Sequence, residues 1–195
     1  MSLDSRFKMM LSIVSLVIIG LSWVITPVEM NEVTPDGTYT SCKCLKYDIF
    51  CQNDKSTWEW AKNHCENAGG WLATIDKQST HQAIRQIIYA DLDNKTCHNY
   101  GFWIGYYDPR PLPKPTRHKA NPDLFTWVKV DEPCTQFVKW ETDEPNDNIT
   151  EHPDGQNCVQ LWYRPTKRGN FDDEYCYEKK GYVCMFEVDC PCANP

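Results

Sequence analysis

The 195-residue chain is acidic, with 27 Asp and Glu residues against 20 Lys and Arg residues and a formal net charge of -7. Its length suits one globular domain of about 130 to 150 residues with flanking segments. The acidic balance and the absence of a Lys/Arg-rich helix argue against nucleic acid as a partner, because phosphate binding depends on basic patches. A neutral or cationic partner, or a metal ion, suits this charge better.

The first 28 residues predict an export segment. Arg6 and Lys8 precede an uncharged run from Met9 to Val28, and acidic residues follow it. The pattern is typical of a signal peptide, and its length also suits a signal-anchor that spans the membrane. A small-x-small site at Gly20 and Ser22 favours cleavage and a secreted, extracellular protein. The alternative is a single-pass type II membrane protein with its folded domain outside the cell.

Eleven cysteines indicate a disulfide-stapled protein from an oxidising compartment. They stand singly or in Cys-x-Cys pairs, without the spacings of a zinc site. Two glycosylation sequons, at Asn94 and Asn148, are consistent with a secretory route. The eleven cysteines are Cys42, Cys44, Cys51, Cys65, Cys97, Cys134, Cys158, Cys176, Cys184, Cys190 and Cys192.

A strand and two helices are predicted after a short polar leader over residues 29–41. The cysteine-rich segment 41–51 predicts the strand. The first helix is expected from a capping box of Ser56 and Glu59 to the Gly69-Gly70 pair, and a short buried run, WLATI, follows it. The second helix is expected to begin near Ser79 and to have an apolar face.

Four short aromatic and β-branched runs then predict strands. They read FWIGYY, FTWVKV, CVQLWYR and GYVCMFEV. Helices followed by antiparallel strands predict an α+β domain, which we place at residues 42–192. The proline-rich stretch from Asp108 to Asp123 is expected on the surface, because proline interrupts the interior of a sheet.

The segment WETDEPNDNIT, residues 140–150, crowds carboxylates and amides into one loop. Such oxygens are the ligands of calcium, which takes about six to eight of them in irregular geometry. This loop supplies Glu144, Asn146 and Asp147. Further oxygens stand beside two cysteines, in GQNC (Gln156 and Asn157) and in FDDEYC (Asp172 and Asp173). The sequence therefore predicts a calcium site built from separate segments.

The order of these motifs resembles the C-type lectin-like domain family. The matching pieces are TWEWAKNHC, WIG, W…EPN, NCV…L, FDDEYC and GYVCMFE, which span roughly Cys44 to Glu187. The resemblance implies a C-type lectin-like α+β fold of two helices, antiparallel sheets and a long calcium-binding loop. It also implies the disulfides Cys65–Cys184 and Cys158–Cys176, worth about 4 to 5 and about 3 kcal/mol by loop entropy.

The other cysteines have less determined pairings. Because the termini of this family run side by side, Cys42 and Cys44 are expected to pair with Cys190 and Cys192, and Cys97 with Cys134. Cys51 is left over in this scheme. An odd cysteine in an exported protein indicates an intermolecular disulfide or a buried thiol, so a disulfide-linked oligomer and a non-covalent one both stay open.

In sugar-binding members of the family, one Ca²⁺ ion is coordinated by two vicinal sugar hydroxyls, and the side chains around the ion hydrogen-bond those hydroxyls. The resemblance implies that the ligands of this ion are Glu144, Asn146, Gln156, Asp172 and Asp173. All of these except Asp173 are expected to contact the sugar, and the Glu144–Pro145 bond is expected to be cis. An auxiliary calcium ion is expected at Asp108, Asp147 and Asn157, although the proline-rich insertion displaces another ligand.

Two positions depart from the usual pattern of the family. Gln156 stands where Glu is usual, and Asp172 stands where Asn is usual, so hydrogen-bond donors and acceptors exchange places while the ligand count is kept. In this family the Glu-Pro-Asn triplet goes with mannose-type binding, whereas the exchange at the other pair weakens that inference and keeps galactose as a competitor. Mannose-type binding is preferred by a narrow margin.

Glycans or glycoproteins are therefore the expected partners, and we expect no enzymatic activity. The sequence has no Gly-x-Ser-x-Gly, no His-Glu-x-x-His and no Gly-rich phosphate loop. Carboxylates that hold calcium stay ionised, so they cannot provide the general acid of a glycosidase. The alternative is a lectin-like protein-binding or structural module in which calcium only braces the loop.

Overall fold

The computed structural model describes residues 23–28, 42–51, 56–93, 101–110, 121–129, 137–164 and 167–190. The leader, most of the export segment and four predicted sites (Asn94, Cys97, Cys134 and Cys192) lie outside the described residues. No helix in the described ranges is long and apolar enough to cross a membrane.

The described strands form one mixed sheet, which two helices accompany. The strands are β1 Trp23–Val28, β2 Cys42–Phe50, β3 Trp71–Leu72, β4 Gly101–Tyr107, β5 Thr126–Trp127, β6 Cys158–Arg164, β7 Lys167–Glu174 and β8 Gly181–Cys190. Their order is β1-β2-β8-β4-β6-β7, with β3 beside β8 and β5 beside β4. The predicted α+β fold is confirmed, but the sheet is not purely antiparallel, because β4 and β8 pair in parallel.

β1 occupies the end of the predicted export segment. It pairs antiparallel with β2, from Trp23 opposite Asp48 to Val28 opposite Lys43. The removal of residues 1–28 stays a prediction. In a chain that keeps this segment, β1 is the edge strand of the sheet.

Both predicted helices are confirmed, but the predicted cap of the first helix is wrong. α1 is Trp58–Asn67, and its N-cap is Thr57, whose side chain accepts a hydrogen bond from the N–H of Trp60. Ser56 cannot cap the helix in this way, because its N–H and carbonyl pair with Lys180 in a β-bridge. α2 is Gln78–Asp93, so Ser79 lies inside the helix.

The apolar faces of the helices pack into a core with the central strands. Ile84 and Ile88 of α2 are fully buried, as are Phe102 and Leu161 of β4 and β6. Burial of each such side chain contributes roughly 1.5 to 3 kcal/mol. Trp58 of α1 is buried as well and donates its indole N–H to the carbonyl of Ile104 at 2.9 Å, so α1 is attached to β4.

Three described disulfides cross-link the fold. Cys65–Cys184 and Cys158–Cys176 are confirmed. Cys44 pairs with Cys190 and joins β2 to β8, as the side-by-side termini predict. Cys51 is also disulfide-bonded, so its assignment as the unpaired cysteine is wrong. Sequence spacing carries no information about which half-cystines meet across the sheet, and Cys51 provides no thiol for a link between chains.

Candidate functional site

The predicted ligands meet where the β6–β7 hairpin lies beside the acidic loop. Asp172 and Asp173 belong to β7, where Asp172 stands opposite Gln160 of β6. The start of the loop is fixed to the same strand, because Phe171 donates its N–H to the carbonyl of Lys139 and accepts from the N–H of Glu141, both at 2.8 Å. Backbone pairing therefore brings the loop to the two aspartates.

Three carboxylates form the centre of this site. Glu144, Asp172 and Asp173 each place an oxygen within 4.8 Å of the others. Asp173 is fully buried and Asp172 is 6% exposed. Burial and the two neighbouring carboxylates raise the pKa of Glu144 to about 9, and burial raises the pKa of Asp172 to about 7. We call these three residues the carboxylate triad.

Hydrogen bonds from the loop backbone orient Asp173. Its two oxygens accept from the N–H groups of Asn146, at 2.9 Å, and Asp147, at 2.7 Å. Burial raises the pKa of Asp173 and these two donors oppose that effect. The predicted cis bond between Glu144 and Pro145 is confirmed. The loop around this cis bond thus lies against Asp173 and brings the Glu144 carboxylate close to the Asp173 carboxylate.

The triad has more negative charge than its described neighbours offset. Oε2 of Glu144 is buried and has no hydrogen-bond partner among the described residues. Two cations of the described residues pair with other carboxylates: Arg110 with Asp108, and Lys180 with Glu174 at 3.1 Å. Buried charges of one sign need a counter-charge, and hard carboxylate and amide oxygens suit Ca²⁺. The residues present therefore fit a calcium ion.

Gln156, predicted as a ligand, is held by protein groups at both ends of its amide. Its Oε1 accepts from the N–H of Asn148 at 3.0 Å, and its Nε2 donates to Oε1 of Glu174 at 3.0 Å. An amide oxygen has two lone pairs, and Nε2 has a second hydrogen, so one further interaction is left on each atom. The ligand role of Gln156 stays a prediction.

Two residues at the site are absent from the predicted set. Gln160 of β6 is buried and donates Nε2 to Oδ2 of Asp172 at 2.5 Å. Glu174 of β7 accepts from Gln156 and also from Lys180. The alternation of side chains along a strand places residues 172 and 174 on one face, so an assignment of FDDE as a strand would have found Glu174. Gln160 is found only from the register in which β6 pairs with β7.

The predicted ligands of the auxiliary ion are Asp108, Asp147 and Asn157, and the described contacts of these residues are with protein groups. Asp108 follows β4, and its N–H donates to the carbonyl of Asn157 at 2.8 Å. Oδ1 of Asp147 accepts from the N–H of Gln156 at 3.1 Å. Asp147 lies beside the triad, because its N–H donates to Asp173. Asp108 is paired with Arg110, which the sequence does not predict at this site.

Known proteins share this sequence pattern. The family model described as "Lectin C-type domain" matches residues 54–186. Layilin from Mus musculus is 27% identical over 183 residues, with 85% of this chain and 44% of layilin covered. A C-type lectin mannose-binding isoform from Notechis scutatus scutatus is 26% identical over 179 residues, with coverages of 86% and 95%. The chain thus spans less than half of layilin.

A solved structure shows the same fold. The carbohydrate-recognition domain of the mouse scavenger receptor C-type lectin matches with a TM-score of 0.52 and 22% identity, and the match covers 77% of this chain and 93% of that one.

Proposed function

We propose that this chain, which belongs to the C-type lectin domain family, is a calcium-dependent carbohydrate-binding lectin. The observation that carries the proposal is the carboxylate triad, with oxygens of Glu144, Asp172 and Asp173 within 4.8 Å of one another. Three acids at this distance, largely removed from water, need a cation, and their oxygens are calcium ligands. Carbohydrate as the partner follows from the family.

The protein groups around the ion would fix the orientation of a sugar. Calcium, when bound, supplies open coordination positions that two vicinal hydroxyls can fill. Glu144 can accept a hydrogen bond from one hydroxyl, while the amide of Asn146, which is exposed, can donate to its neighbour. Asp173 keeps the Glu144–Asn146 turn in place through its two backbone hydrogen bonds. Glu144 and Asn146 thus recognise the sugar, while Asp173 positions the loop.

Mannose-type sugars are the class that this arrangement favours. Galactose-type binding would require Gln156 to act as a donor where the family usually has an acceptor. One N–H of Gln156 is already bonded to Glu174, so its contribution as a reversed donor is reduced, and the Glu144–Asn146 pair dominates. The relative from Notechis scutatus scutatus whose name includes "mannose-binding" is in agreement with this choice.

One observation favours a second candidate function. Gln156 and Asp172 are both hydrogen-bonded to protein side chains, to Glu174 and Gln160 respectively. If these bonds persist when the ion is bound, the second sugar hydroxyl loses part of its recognition. The domain would then bind a protein, or serve a structural role, with calcium only bracing the loop.

Retention on sugar resins separates the two candidates. The disulfide-intact protein is applied to mannose and galactose resins in calcium and is then eluted with a chelator. We expect retention in calcium, stronger on mannose, and release by the chelator. Glu144→Gln should flow through, whereas Glu151→Gln, an exposed glutamate of the same loop, should be retained. Flow-through of the unaltered protein, with calcium binding still measured by calorimetry, would support the bracing role instead.

We place the domain outside the cell, either as a secreted protein or on a type II anchor. The three described disulfides support this location, because such bonds persist in oxidising compartments. N-terminal sequencing of the exported protein tests the alternatives: a start after residue 20 indicates cleavage, and an intact N-terminus in the membrane fraction indicates the anchor.

A further inference from the structure

We propose that the guanidinium of Arg110 takes the place of the auxiliary cation at Asp108 and Asp147, so that this chain binds one calcium ion and not two. The inference deepens the proposed function, since it concerns the number of ions at that same site. It rests on the pairing of Asp108, a predicted ligand, with Arg110, a residue that the predicted ligand set does not contain.

Arg110 holds both oxygens of Asp108. Its Nε lies 2.9 Å from Oδ1 and 2.9 Å from Oδ2, its Nη2 donates to Oδ2, and its backbone N–H donates to Oδ1 at 3.0 Å. The Asp108 side chain is only 1% exposed, and that of Arg110 is 24% exposed. A carboxylate that is bonded in this way, with a charge-assisted fork on both oxygens, offers little to a second cation.

The other two predicted ligands of the auxiliary ion are Asp147 and Asn157. The hydrogen bond to Asp108 raises the pKa of Arg110, and so do the negative charges of Asp108 and Asp147, so the charge of Asp147 also acts on the guanidinium. Asp108 is joined to Asn157 by a backbone hydrogen bond of 2.8 Å. Oδ1 of Asn157 is buried and has no partner among the described residues. Two carboxylates therefore act on one fixed positive charge, and the backbone of Asn157 is bonded to one of the two residues.

Electrostatics favours the guanidinium over an added ion at this position. As whole residues, Asp108 is 6% exposed and Asp147 is 8% exposed, so both carboxylates need a counter-charge. Arg110 supplies it from within the chain at every calcium concentration. A divalent ion that entered beside it would meet a like charge that cannot be deprotonated at physiological pH.

This arrangement has a consequence for the triad. Asp147 is the residue whose N–H donates to Asp173 at 2.7 Å, and its own carboxylate also accepts from the N–H of Gln156. A permanent positive charge near Asp147 therefore braces the loop before calcium arrives. Sugar binding should accordingly rise with the first power of calcium concentration, as one ion requires.

The test counts bound calcium in three chains by equilibrium dialysis with radioactive calcium. The first is the unaltered protein, the second is Arg110→Gln, and the third is the double variant Asp108→Asn with Arg110→Gln. Arg168→Gln changes an exposed arginine of β7 and is the matched control. We expect Arg110→Gln to bind one ion more than the unaltered chain. The double variant and Arg168→Gln should bind the same number as the unaltered chain.

The difference between chains decides the inference, and the absolute count in the unaltered chain decides the proposed function. An equal count in Arg110→Gln and the unaltered chain overturns the replacement by Arg110, even if sugar binding is intact. No bound ion in the unaltered chain overturns the calcium-dependent lectin, whatever the variant does. If Arg110→Gln does not fold, the unaltered chain still decides the question, because two bound ions would contradict the inference and one would support it.

Discussion

Replacement of Glu144 by Gln should change the stability of the protein with opposite sign in chelator and in calcium. Without an ion, the triad crowds three carboxylates whose oxygens lie within 4.8 Å of one another. At that separation and an effective dielectric constant of about 20, each pair of like charges costs at least about 3.5 kcal/mol. Proton uptake relieves part of this cost. We therefore expect Glu144→Gln to raise the free energy of unfolding in chelator by about 1 to 3 kcal/mol.

In calcium, the same substitution should be destabilising relative to the unaltered protein. A ligand at about 1,000 times its dissociation constant adds about 4.1 kcal/mol to the stability of the protein that binds it, which exceeds the roughly 1 to 3 kcal/mol that the substitution contributes in chelator. Glu144→Gln loses a ligand oxygen with its charge, so most of this gain disappears. Urea unfolding followed by tryptophan fluorescence, in chelator and in calcium and with disulfides intact, measures both effects. Glu151→Gln should show the full gain from calcium. A Glu144→Gln variant that is less stable than the unaltered protein in chelator would refute the description of the triad as an uncompensated charge cluster.

Three further predictions concern the loop, the specificity and the core. Gly155 has φ +70°, and a Cβ there would clash with the carboxylate of Asp147, so Gly155→Ala should weaken calcium binding at least about tenfold by calorimetry; unchanged affinity would show that the loop tolerates the shift. The double change Gln156→Glu with Asp172→Asn, which restores the usual residues of the family, should keep calcium binding and raise the mannose-to-galactose retention ratio, and a fall in that ratio would contradict our sugar assignment. Burial lowers the pKa of His81 to about 4, and since the unfolded chain protonates first, near pH 6.5, stability should fall by at most about 3 kcal/mol between pH 6.5 and 4. His81→Gln, which can still donate to the carbonyl of Gly169, should show a smaller fall in urea titrations over that range, and an identical pH dependence would exclude His81 as its source.

Apolar spacing and residue type along the chain predict the helix α1 and the central strands β4 and β6. The apolar spacing of α1 and the aromatic, β-branched runs of β4 and β6 predict those elements at nearly their observed positions. The disulfides Cys65–Cys184 and Cys158–Cys176 are predicted only by the order of motifs, since they join residues that are 119 and 18 positions apart. Family resemblance carries the long-range contacts that periodicity does not contain.

The features that escape sequence reasoning depend on tertiary contacts. Ser is a residue type that often caps helices, but the backbone of Ser56 is hydrogen-bonded to Lys180 in a β-bridge, so Thr57 caps the helix. The sequence does not predict β7 as a strand, because adjacent acids have low strand propensity, and pairing with β6 overrides that tendency. Arg110 stands in a proline-rich stretch that predicts only a surface loop, and its bond to Asp108 follows from the local turn after β4.

The most direct test of the central claim is a calorimetric titration of the disulfide-intact protein with methyl α-mannoside, first in calcium and then in chelator. We predict saturable binding with one sugar per chain in calcium and no heat of binding in chelator. Glu144→Gln should give no binding in either buffer, while Glu151→Gln should behave as the unaltered protein. Equal mannoside binding in calcium and in chelator would contradict the claim that the sugar is held through the ion at the carboxylate triad.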